Sequence, residues 1–185
     1  MKKYLITDPK YYDNSKEKFK NYLKTIYLNH KIDYACFRDK ENKNIEELAD
    51  IFLKISQEFK IKKILINSDI SLAKSAGFFG VHLSSKQFDE ISCAKNKNLF
   101  VIISTHSKEE VLKAEILGAD AVTFSPIFAT PNKGKPKGER ELANLVSLQD
   151  IKIFALGGII NEIEVKKCKS SGVYGFASIR YFLNK

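Results

Sequence analysis

Eight short apolar runs recur along this chain, each separated from the next by a stretch long enough for a helix. They are YLITD from Tyr4, DYACFRD from Asp33, KILINS from Lys63, GVHL from Gly80, LFVIIST from Leu99, AVTFSPI from Ala121, KIFALGG from Lys152 and YGFASI from Tyr174. They are rich in β-branched residues and near-continuously apolar, as parallel strands covered by helices are. Between the second and third runs, Ile45, Leu48, Phe52, Ile55 and Phe59 step by three and four, which puts them on one helical face. Asn44 with Glu47, Ser107 with Glu110 and Asn161 with Glu164 have capping-box spacing ahead of helical segments. Eight βα units without a Gly-rich nucleotide fingerprint predict a closed (β/α)8 barrel, the compact α/β TIM-barrel class, ahead of an open flavodoxin-like sheet. The 185 residues read as a single domain over 1–185. Against the ~250 residues typical of such barrels, helices must be trimmed. The segment after GVHL and the tail RYFLNK are the thinnest units.

Composition closes off other classes. The apolar run near the start is only YLIT and meets Asp8 at once, so it predicts neither a signal peptide nor a membrane span. Cys36, Cys93 and Cys168 are odd in number and far apart, which argues for reduced thiols in a cytoplasmic protein rather than disulfides or zinc. The net charge of +9 suits an acidic ligand. Basic residues interleaved with exposed aromatics are missing, so no nucleic-acid partner is expected, and a homodimer is left open.

In a barrel of this kind chemistry gathers at the C-terminal strand ends. Those ends carry Asp8, then Arg38 and Lys40, Asn67 and Asp69, His82, Ser104 with Thr105 and His106, Thr130 with Asn132 and Lys133, Gly157 and Gly158, and finally Ser178, Ile179 and Arg180. Cations outnumber carboxylates in this ring, so it should take an anion. Gly157 and Gly158, followed by a helix start, would let a phosphate approach the backbone. The amides near Ile179 and Arg180 would complete that phosphate site. His82 reads as a satisfied structural histidine, and His30 as a residue at a helix C-terminus. Lys135 and Lys137 read as a mobile rim beside Lys133.

YLITD, FRDK, LINSDISLAKSAGFFGVHL, STHS, SPIFATPNK and ALGGI occur in one order along almost the whole chain. In this they resemble the thiamine-phosphate synthase and TenI family, whose members are (β/α)8 barrels. The resemblance implies a small-molecule thiazole phosphate or related thiamine precursor as ligand. It places substrate contacts at Arg38, Lys40, Asn67, Ser104, Thr130, Asn132 and Lys133, and phosphate contacts at Gly157, Gly158, Ile179 and Arg180.

The chain departs from the family pattern at informative places. Cys36 stands where a glutamine is usual and Arg180 where a serine is. Ser68 and Gln87 stand at the two carboxylate positions that hold magnesium in the synthases, with Asp69 one place too late. With those anions gone, the expectation is a metal-independent, TenI-like thiazole tautomerase that needs no cofactor and uses His106 and Lys133 as catalytic groups. Pro126 falls at the position of the tautomerase histidine. The alternatives are a thiamine-phosphate synthase, the one reading that implies magnesium, and a non-catalytic binder of thiazole or thiamine phosphates.

Overall fold

The computed structural model describes residues 1–12, 15–42 and 44–183. Its strands are β1 (Lys2–Ile6), β2 (Tyr34–Phe37), β3 (Lys63–Asn67), β4 (Gly80–Leu83), β5 (Phe100–Thr105), β6 (Ala121–Phe124), β7 (Lys152–Leu156) and β8 (Gly175–Ser178). They close into one barrel in sequence order. All neighbours are parallel, and β8 returns to β1 with Ala177 beside Tyr4. The open-sheet alternative is thereby excluded.

The helices are α1 (Lys16–Asn29), α2 (Ile45–Glu58), α3 (Ile70–Ser75), α4 (Ile91–Asn96), α5 (Lys108–Ile116), α6 (Gly138–Leu148) and α7 (Glu162–Ser170). The trimming predicted from length falls on α3 and α4, six residues each. After β8, among the described residues, only a 3-10 turn at Tyr181–Leu183 follows. Within the tail RYFLNK, Asn184 and Lys185 lie outside the described residues.

Two apolar layers hold the fold together. Alternate strand residues point into the barrel, where Tyr4, Tyr34, Cys36, Leu65, Ile102 and Phe154 fill the interior. The intervening residues, such as Leu5, Ala35, Ile64 and Val101, meet the helices in the larger outer core. Leu48, Phe52 and Ile55 of α2 are buried there, as their spacing predicts; Phe59 is the residue that ends the helix. Burying such side chains contributes roughly 1.5–3 kcal/mol each.

The caps hold unevenly. Asn161 and Glu164 form a full capping box on α7, and Ser107 accepts from the Glu110 amide at 3.2 Å. Asn44 precedes α2 but makes no side-chain capping bond; its ψ of 48° departs from the extended backbone at the Ser107 and Asn161 caps. No helix among the described residues is long and apolar enough to cross a membrane.

Candidate functional site at the C-terminal end of the barrel

The strand ends bring the predicted residues to one face. Arg38 and Lys40 follow β2, Asn67 ends β3, Ser104 lies in β5 and His106 just beyond it. Thr130, Asn132 and Lys133 lie in the long loop between β6 and α6. Lys40, His106, Asn132 and Lys133 are exposed, whereas Arg38, Asn67, Ser104 and Thr130 are half-buried.

Arg38 is held from both sides. Its backbone N–H donates to Thr7 Oγ1 at 2.8 Å, and Thr7 Oγ1 donates to its carbonyl at 3.0 Å. The guanidinium lies 3.6 Å from the Asp8 carboxylate. Its charge is also felt by His82 and Cys36, both buried in the barrel, so it stands close to the barrel interior. The loop beyond turns on Asp39, which lies inside FRDK but is not among the expected site residues. Asp39 Oδ1 accepts from the Glu41 and Asn42 amides at 3.0 Å, and Tyr12 donates to Oδ2 at 2.8 Å. Burial disfavours the Asp39 charge, but the donors from Asn42, Glu41 and Tyr12 outweigh it and hold the carboxyl below its ordinary range.

Inside the mouth lies a hydrogen-bonded column. Tyr4 Oη is 2.9 Å from His82 Nδ1, and His82 Nε2 is 3.1 Å from Ser104 Oγ and 3.4 Å from Thr123 Oγ1. Burial, aided by the Arg38 charge, pushes the His82 imidazole down to about 3, so it is neutral near pH 7. It is a satisfied core histidine, as the sequence reading has it. Burial likewise raises the Cys36 thiol to about 12, which removes it as a nucleophile. His106 is different: its ring Nδ1 lies 3.0 Å from the Ser125 carbonyl. A carbonyl only accepts, so Nδ1 carries a proton and donates it there.

The glycine turn has a second explanation besides phosphate approach. Gly157 and Gly158 have φ of 95° and 69°, where L side chains are strained. A Cβ on Gly157 would stand 2.8 Å from Pro126 Cα, and one on Gly158 2.7 Å from both Phe128 Cβ and the Ala129 carbonyl. The β6–α6 loop is docked there, with the Ile127 amide on the Leu156 carbonyl at 2.9 Å and the Phe128 amide on the Gly157 carbonyl at 3.0 Å. Ser178 Oγ donates to the Ile159 carbonyl at 2.7 Å and ties β8 to the same turn. Among the described residues, the amides of Gly158, Ile179 and Arg180 donate no hydrogen bond to the rest of the chain. The same loop corrects one expectation. Lys137 is no mobile rim: its ammonium lies 5.5 Å from the Phe124 ring centroid and 3.6 Å from Glu141.

The two loops that would hold a divalent cation do not fit one. Gln87 Nε2 donates to the Ser68 carbonyl at 3.1 Å, and Gln87 Oε1 accepts from the Ser84 amide and hydroxyl at 2.9 and 2.8 Å. Asn67 donates to Ser68 Oγ at 2.9 Å. Both positions are neutral and engaged with each other's loops, whereas magnesium takes carboxylate oxygens. Asp69 is occupied as the N-cap of α3, accepting from the Leu72 amide at 2.8 Å. Beside them a shallow cleft of about 450 Å³ runs past Asp69, Glu90, Cys93 and Lys97. Among the described residues no three His, Cys, Asp or Glu side chains gather as a metal cluster.

Comparison with known proteins gives a consistent pattern. The model of a family described as Thiamine monophosphate synthase matches residues 3–182. A protein of Aquifex aeolicus named Putative thiamine-phosphate synthase 2 is 34% identical over 187 residues, covering 97% of this chain and 96% of that one. The Thiamine-phosphate synthase of Clostridium acetobutylicum is 29% identical over 195 residues, covering 99% and 87%. Among solved structures, the thiamine phosphate pyrophosphorylase of Pyrococcus furiosus superposes with a TM-score of 0.79 at 25% identity, covering 96% of this chain and 85% of that one.

Proposed function

This chain belongs to the thiamine monophosphate synthase family, and from that premise we propose that it is a thiamine-phosphate synthase. It would join a pyrimidine carried as its diphosphate to a thiazole phosphate. The C–O bond to the diphosphate breaks, the thiazole nitrogen takes the carbon, and diphosphate leaves. The observation that carries this reading is the similarity, along almost the whole chain, to relatives bearing that name. The tautomerase expected from the missing carboxylates has no such support from the relatives' names.

The residues present suit the ligands. The amides of Gly158, Ile179 and Arg180 supply donors for the thiazole phosphate, each hydrogen bond to a charged group contributing roughly 1.5–3 kcal/mol. Arg38, Lys40 and Lys133 are the cations for the departing diphosphate, with Asn67 and Ser104 as neutral donors. Since Ser68 and Gln87 do not fit a divalent cation, charge on the leaving group falls to these side chains.

One observation favours a second reading. Among the described residues nothing engages His106 Nε2, just beyond β5, while its Nδ1 is engaged by the Ser125 carbonyl. That suits the proton transfer of a TenI-like thiazole tautomerase. The test is thiamine phosphate formation by the purified protein with both precursors, first with magnesium and then with chelator. Product at enzymatic turnover supports the synthase. Absence of product, with the thiazole phosphate bound and its ring aromatising, supports the tautomerase; binding alone leaves a non-catalytic binder.

A further inference from the structure

The column in the barrel interior sets the polarity of one residue at its mouth. Tyr4 is fully buried and His82 nearly so, so each hydrogen in the column must find an acceptor among neighbours. The Cys36 thiol beside Tyr4 is directed at the Phe37 carbonyl, 3.7 Å away. That leaves the Tyr4 hydroxyl two acceptors, the Cys36 sulfur and His82 Nδ1, and the imidazole nitrogen is much the stronger. With Nδ1 accepting, the neutral ring carries its proton on Nε2. Nε2 then donates to Ser104 Oγ at 3.1 Å, with Thr123 Oγ1 further off at 3.4 Å.

We propose that Tyr4 and His82 act as positioning residues that fix Ser104 as a hydrogen-bond donor towards the mouth. Its oxygen is taken by His82, and its own proton is free for an acceptor on the ligand, a ring nitrogen or a phosphate oxygen. The reverse tautomer would turn the Ser104 hydroxyl inward and present only lone pairs, which an anionic ligand repels. This rests on the reading that Ser104 meets the ligand.

The test separates the two ideas. Nitrogen NMR of histidine-labelled wild-type protein reads the His82 tautomer directly, with no ligand present. A proton on Nε2 is expected; a proton on Nδ1 overturns the relay. In Tyr4→Phe, Nδ1 loses its donor, and the tautomer should shift towards Nδ1–H while the fold is kept. An unchanged tautomer there also overturns it. Thiazole phosphate is then titrated into wild type, Tyr4→Phe and Ser104→Ala. Both variants should bind about tenfold more weakly. Had Tyr4→Phe shifted the tautomer while neither variant changed affinity, the relay would stand and the placement of Ser104 against ligand would fall. Weakening in Ser104→Ala alone would overturn the claim that the relay sets its direction.

Discussion

Gln87 reaches from the loop after β4 across to the loop after β3 and donates its side-chain N–H to the Ser68 carbonyl at 3.1 Å. One neutral amide thus joins two loops at the positions where the family resemblance expects a pair of carboxylates. Ser68 itself has φ of 63°, a left-handed conformation in which aspartate and asparagine are tolerated better than most residues.

Restoring the charge should therefore create a cation site without breaking the turn. In Ser68→Asp/Gln87→Asp, magnesium should promote pyrophosphate binding in calorimetry more strongly than it does in the parent protein. The loss of the Gln87 bridge should cost about 1 kcal/mol of stability. A double variant whose pyrophosphate affinity ignores magnesium would show that these loops do not occupy the metal position.

The glycine turn should behave as a packing element before it behaves as a ligand site. In Gly158→Ala the Cβ stands 2.7 Å from Phe128 Cβ and the Ala129 carbonyl, at φ of 69°. The backbone conformation alone costs roughly 1–2 kcal/mol, and moving the β6–α6 loop adds to it. Denaturant melts should show a loss of at least about 2 kcal/mol. Stability within 0.5 kcal/mol of the parent, roughly the margin for a surface change, would mean the loop is not docked as described.

Much of this was legible in the residues, and the parts that were not share a cause. Strand periodicity and helix spacing are local, so GVHL names β4 to the residue and Leu48, Phe52 and Ile55 identify the buried face of α2. The strand-end rule then places Arg38, Asn67 and Ser104 on one face. What the sequence could not convey is contact across the chain. Gly157 and Gly158 are glycines because Pro126 and Phe128, some thirty positions earlier, lie against them. Lys137 is a basic residue in a basic loop until Phe124 is seen beneath it. Asp39 looks like a surface carboxylate until Tyr12 is found donating to it. Tyr4 carried one local signal, its inward register in the first run, but its partner His82 lies 78 positions away.

The buried His82 should also govern acid stability. Its folded value of about 3 lies below the ordinary 6.5, so the unfolded chain binds the proton first. Stability is then complete above about pH 6.5 and falls by roughly 1.4 kcal/mol per pH unit below it. The loss continues until the pH reaches the folded value. Asp33, Asp39 and Glu109, with their carboxyls held low, withdraw stability only as the pH falls into the ordinary carboxylate range of about 4 to 4.5, so pH 6.5 to about 5.5 isolates the histidine. Denaturation curves should slope in that window for the parent and be flat for His82→Gln. Parallel slopes would mean that the imidazole is reached by water in the folded protein.

Lys133 and Lys137 lie four positions apart in the same loop, and the structure gives them opposite fates. Lys133 is exposed near the loop tip, with its backbone N–H on the Thr130 carbonyl at 3.2 Å, and its ammonium is available to an anion. Lys137 is committed to Phe124 and Glu141. Lys133→Ala should therefore weaken thiazole phosphate or pyrophosphate binding by about ten-fold or more, the range of one charged hydrogen bond, and reduce the salt dependence of that binding. Lys137→Ala should leave ligand affinity within about twofold and cost 0.5–1 kcal/mol of stability, roughly the worth of an exposed cation–π contact. Titrations at two ionic strengths, with melts of the same samples, distinguish them; a large affinity loss in Lys137→Ala and none in Lys133→Ala would reverse the assignment of the two side chains.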